Sequence, residues 1–153
     1  MFTKEEASAH RQAFWTTLGQ YVSPMPSAWG GKVNWINYKT GVKGIFFKMD
    51  ADARQAWIAF VISTGDPQRD ESLYRMLETF RDEFEATVPG TWEWEPDVTD
   101  AYGKNIYRVV STLQPSNMFI REQWPGIISF LKERLAGLDL FWASNREIFE
   151  MAA

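Results

Sequence analysis

Apolar residues recur at helical spacing near the start of the chain. Ala7, Phe14, Trp15, Leu18 and Val22 fall on one face, and Thr3 followed by Glu6 forms a capping box. Together they predict a helix over about residues 4–22. The run SPMPSAWGG (23–31) ends it, because two prolines and two glycines cannot continue a helix. The pattern then shortens to period two. KVNWINYK (32–39) and VKGIFFKM (42–49) flank Thr40-Gly41, which predicts a hairpin with a two-residue turn. DADA (50–53) supplies a second turn, since Asp side chains support turns. RQAWIAFVIST (54–64) is apolar at nearly every position after Gln55, as in a central strand covered on both faces.

Helical spacing returns at about 69–87, where Leu73, Met76, Leu77, Phe80 and Phe84 form a stripe that Pro89-Gly90 terminates. TWEWE (91–95) alternates strictly and reads as a fourth strand. DAYGKN reads as a turn, and IYRVVSTL (106–113) as a fifth strand. The last helix carries Ile127, Ile128, Leu131, Leu135, Leu138 and Trp142, with Pro125 in its first turn. Gly126 and Gly137 argue against a single straight rod. The order α-β-β-β-α-β-β-α predicts one α+β domain over residues 1–153, with a five-stranded, mostly antiparallel sheet packed with helices.

Strand parity sorts the predicted hairpin. Pairing across Thr40-Gly41 puts Ile36, Tyr38, Ile45, Phe47 and Met49 on a core face. The other face holds Val33, Trp35, Asn37, Lys39, Phe46 and Lys48, an aromatic centre with basic edges. Beside it the third strand sets either Trp57, Ala59 and Val61 or Ile58, Phe60 and Ile62. Trp35, Asn37, Lys39, Phe46 and Lys48 are therefore the candidate binding surface.

Charge sharpens this choice. The net charge is −4, yet Lys32 to Lys48 holds four lysines and no acid. Asp66 to Asp100 holds eleven acids against three arginines. Aromatic content of 16% supplies large side chains for a core. With no Cys, disulfides, thiolate metal sites and Cys catalysis are excluded. The chain has no apolar run long enough to span a membrane, and its first residues lack the apolar stretch of a signal peptide; both suit a cytoplasmic protein.

Several chemistries can be weighed against residues. Stacking of bases on Trp35 and Phe46 beside lysines would suit a nucleic acid. KGIFFKM begins like an RNA-recognition signature but carries Phe46 where that signature needs a small residue, and the overall acidity opposes this reading. Restriction-type nuclease chemistry needs an acid two residues before a lysine, a spacing that occurs nowhere. Glu93 and Glu95, with Asp97 and Asp100 beyond, could face a divalent ion, although such alternation is ordinary for the wet face of an edge strand. DADAR opens like a calcium loop but lacks its glycine and terminal glutamate. His10, the sole histidine, reads as a helix-surface residue. No nucleophile elbow, phosphate loop or paired metal histidines occur, so no catalytic residue, metal or cofactor is assigned.

RQAFWTTLGQYVSPMPSAWGGKVNWINYKTGVKGIFFKMDADAR, GTWEWEP and EQWPGIISFLKERLAGLDLFW resemble a bacterial family of domains of unknown function. Members of that family stand alone or lie at the C-terminal end of nuclease-like proteins. The resemblance runs from Arg11 to about Trp142 and carries no catalytic set. It implies an accessory role. The element order is also similar to that of type III secretion chaperones, small acidic homodimers that hold a client segment. The expectation is a non-enzymatic binding module that self-associates or holds a protein partner, with nucleic acid the less favoured ligand.

Overall fold

In the computed structural model, which describes residues 2–153, four α-helices pack on one face of a four-stranded antiparallel sheet. Helix α1 (Lys4–Val22) begins where the capping box sets it: Thr3 Oγ1 accepts from the Glu6 amide, and the Glu6 carboxylate accepts from the Thr3 amide. Strands β1 (Ile45–Ala51) and β2 (Ala56–Ile62) follow. The turn between them is held by Asp52, whose Oδ1 accepts from the Arg54 and Gln55 amides. Asp66 caps α2 (Pro67–Thr79) through the Gln68 amide. Helix α3 (Arg81–Thr87) is separate, because Phe80 leaves helical geometry at φ −103°, ψ 15°. Strands β3 (Glu93–Thr99) and β4 (Asn105–Leu113) form a hairpin, and α4 (Trp124–Ala152) closes the domain as one helix of 29 residues.

The strand order is β1-β2-β4-β3, so the sheet has four strands and not five. The strand expected over 32–39 is absent. Its residues are drawn into the helical layer instead. Trp35 and Tyr38, three apart, both point into the core, while Ile36 between them is exposed. The Trp35 indole donates to the Met25 carbonyl at 3.1 Å, and the Trp142 indole of α4 donates to the Thr40 carbonyl at 2.8 Å. These bonds fasten the segment and its end to the stretch after α1 and to α4, and the segment joins no ladder. Parity holds from Ile45 onward: Ile45 and Phe47 are buried, and Phe46 and Lys48 are exposed.

The main core lies between the sheet and α4. Phe60 of β2 meets Trp142 at 5.8 Å and Phe149 at 6.1 Å, and Phe47 of β1 meets Trp142 at 5.9 Å. Helix α1 packs through Phe14 on Trp124, and α3 packs through Phe84 on Phe141 and on Trp94 of β3. Glycine does not interrupt α4. Gly137 is where α4 crosses the α3–β3 connection, and a Cβ there would lie 2.7 Å from Pro89 and 2.9 Å from the Val88 Cα. Close packing outweighs the helix cost of that glycine.

Candidate binding surface

A second, smaller apolar cluster lies on the other side of the sheet. Ala59, Val61, Ile106 and Val110 are buried there, with Trp57 and Val98 against them, and no helix contributes to it. Of the two parities open for β2, this places Trp57, Ala59 and Val61 beside Phe46 and Lys48; the register pairs Phe46 with Val61 and Lys48 with Ala59. In β4 the same face carries Ile106, Arg108, Val110 and Thr112. The face is concave. The β3–β4 turn, Asp100 to Gly103, arches over one end and bounds a cleft of about 670 Å³, none of whose lining residues belongs to a helix.

Polar and aromatic groups converge on this floor. The Arg108 guanidinium bonds the Glu95 carboxylate at 2.6 Å and lies 5.9 Å from the Trp57 ring centroid. The Lys48 ammonium sits 5.0 Å from the Phe46 ring. Asp100 Oδ1 accepts from the Lys104 and Tyr102 amides at 2.9 Å each. The Lys104 bond foremost, then that of Tyr102, with Lys48 nearby, lowers its pKa below the ordinary Asp range. Asp50, Glu93, Glu95 and Asp100 outnumber Lys48 and Arg108 around the cleft.

The five residues expected to form a surface separate. Trp35, only 3% exposed, is core and leaves the surface. Phe46, 41% exposed, and Lys48 stand together on the open face. Asn37 lines the cleft from the 32–39 segment, whereas Lys39 is exposed but does not line it. Sequence reasoning left open which parity of β2 lies here, so Trp57 stood as one of two alternatives, and Arg108 and Thr112 were not named as members. Their signal was the shared parity of Trp57 with Ala59 and Val61, which becomes decisive only when the strand register is known.

Two other groups prove structural. His10 is not a free surface residue: its Nε2 donates to the Met118 carbonyl at 3.1 Å, and its ring lies 5.1 Å from Phe2 and 5.3 Å from Trp124. Asp139 of α4, 2% exposed, accepts from the Tyr38 hydroxyl at 2.5 Å, the Ala28 amide at 2.7 Å and the Ser27 hydroxyl at 3.0 Å. Those donors satisfy the buried carboxylate and tie the segment after α1 to α4. Among the described residues no three His, Cys, Asp or Glu side chains come together to hold a metal ion. No described helix is long and apolar enough to cross a membrane.

The molecule is thus an α+β domain with helices on one sheet face and an open cleft on the other. It belongs to the DUF4268 family, a domain of unknown function, whose model matches residues 10–146. No curated protein and no solved structure matches the chain.

Proposed function

We propose that this domain is a binding module that holds a polypeptide segment on the uncovered face of its sheet. The observation that carries this reading is the concave cleft lined by Trp57, Arg108, Glu95, Lys48 and Thr112 on a face to which no helix contributes. An apolar floor with a few convergent polar groups is the usual form of a binding site. Four carboxylates against two cations favour a segment with basic as well as apolar side chains. The same excess of acid opposes phosphate backbones, which makes nucleic acid the weaker ligand. Catalysis has less support, since no nucleophile in the cleft is paired with a base.

Selection of displayed random peptides on the immobilised domain tests this. Enrichment of apolar sequences bearing Lys or Arg is expected, with binding lost in Trp57→Ser and in Glu93→Lys. No enrichment, or enrichment that these variants leave intact, would overturn the reading. Binding of single-stranded DNA at low salt that Lys48→Glu abolishes would replace it with the nucleic-acid alternative.

A further inference from the structure

The sheet has two free edges, and they differ. The outer edge of β3 is blunted by Pro96, by Asp97 at φ 51°, and by a register shift between Glu95 and Val98. The outer edge of β1 has no such device at its centre. Gly44 offers its carbonyl to the Ser63 amide, so residues 44, 46, 48 and 50 direct their backbone groups toward β2, and 45, 47, 49 and 51 direct theirs outward. At the ends the outward groups are already occupied. Thr40 Oγ1 donates to the Ile45 carbonyl at 2.8 Å, and the Ile45 amide donates to the Val42 carbonyl. Arg11 donates to the Ala51 carbonyl at 3.0 Å, and the Ala51 amide donates to the carboxylate of Asp50. Between them the amides and carbonyls of Phe47 and Met49 have no partner among the described residues. The cleft reaches these two residues, and Ile36 and Asn37 also line it.

We propose that this edge pairs with the β1 strand of a second copy of the chain, antiparallel about a two-fold axis at Met49. Charge selects that register. Lys48 and Asp50 flank Met49 on the open face, so an axis through Met49 sets each Lys48 against the Asp50 of the other copy. It also sets the lysine-rich half of one strand along the Asp50–Asp52 half of its mate. An axis at Lys48 opposes two lysines, and an axis at Phe47 sets Lys48 against Phe46 and Asp50 against Gly44, so that neither charge meets its opposite. In the chosen register each Met49 exchanges both backbone bonds with its counterpart. Each Asp50 carboxylate turns from its own Ala51 amide to the facing lysine, freeing that amide for the facing Phe47 carbonyl, and the Ala51 carbonyl accepts the facing Phe47 amide on its second lone pair beside Arg11.

The two sheets become one of eight strands, with every helix on one side and both clefts on the other, meeting at the axis. Because only one edge of each copy is open, assembly closes at two. The pairing stands whether or not a peptide fills the cleft, so its test is separate from the peptide selection.

Sedimentation equilibrium of the full chain should show a reversible monomer–dimer system, and exchange of the Phe47 and Met49 amides should slow as concentration rises. Met49→Pro removes only an outward N–H, spares the β1–β2 ladder and should leave a monomer. Lys48→Asp and Asp50→Lys should each weaken dimerisation by roughly tenfold, and the two together should restore it. Thermal melts establish that the variants fold, and the charge cycle decides the matter even if Met49→Pro does not. A monomer up to millimolar protein, open-ended polymers, or a double variant no better than either single one would overturn the proposal.

Discussion

At the scale of single residues, Tyr38 shows how a buried charge organises this chain. Its hydroxyl donates to Asp139, and its pKa is raised well above the ordinary tyrosine value, by burial first and by that bond second. The raised value means the folded protein favours the neutral phenol. The resulting stability is therefore fully present below about pH 10, the unfolded value, and is lost as pH rises through the folded pKa. Tyr38→Phe leaves the carboxylate with one donor fewer at a buried site, and we expect a loss of about 1–3 kcal/mol in denaturant unfolding. The same variant should lose less stability than the wild type between neutral and strongly alkaline pH. An unchanged alkaline profile would show that another group governs it. Asp139→Ala removes the acceptor for Ser27, Ala28 and Tyr38 together and should cost more than Tyr38→Phe.

At the scale of elements, Gly137 marks a contact where helix propensity and packing oppose each other. Alanine would favour the helix by up to about 1 kcal/mol. Its Cβ would meet the Val88 backbone and the Pro89 ring, neither of which moves cheaply. Gly137→Ala should therefore destabilise by about 1–3 kcal/mol, measured by chemical denaturation; a stabilised variant would mean that the α3–β3 connection yields easily. The β3–β4 turn responds to acid. The depressed pKa of Asp100 means its bonds to the Tyr102 and Lys104 amides persist above the ordinary carboxyl range and loosen as pH falls through the lower folded value. Amide shifts of Tyr102 and Lys104 should follow that titration, and Asp100→Asn should flatten them. Helix α1 and the β1–β2 and β3–β4 turns were legible in the sequence because caps and Asp turns are local devices. The segment 32–39 was not legible. Its alternation imitates a strand, but its fate depends on Asp139 and Trp142, about a hundred residues away. Trp35 left the candidate surface for the same reason: it was assigned by strand parity in a segment that forms no strand, whereas Phe46 and Lys48, inside β1, are exposed as that parity expects.

At the scale of the whole molecule, β2 serves two environments at once. Ile58, Phe60 and Ile62 face the helices, while Trp57, Ala59 and Val61 face the cleft. The continuous apolar run that suggested cover on both faces reflects burial on both, but only one of those faces lies beneath helices; on the other, Ala59 and Val61 are shielded by their neighbours on the sheet. The acidic residues from Asp66 to Asp100 lie on or next to α2, α3 and β3, outside the core, and Asp70 is the buried exception, accepting from the Thr64 amide at 2.7 Å. This division predicts that stability and binding separate along one strand. Phe60→Ala opens a void against Trp142 and Phe149 and should cost about 3–5 kcal/mol. Trp57→Ala removes a half-buried ring from an uncovered face and should cost less than about 1.5 kcal/mol, within the range of ordinary substitutions, while removing the peptide affinity proposed for the cleft. Denaturant melts of both variants, read beside their binding to one selected peptide, check this directly. A Trp57→Ala chain as unstable as Phe60→Ala would show that the open face carries the fold rather than a partner.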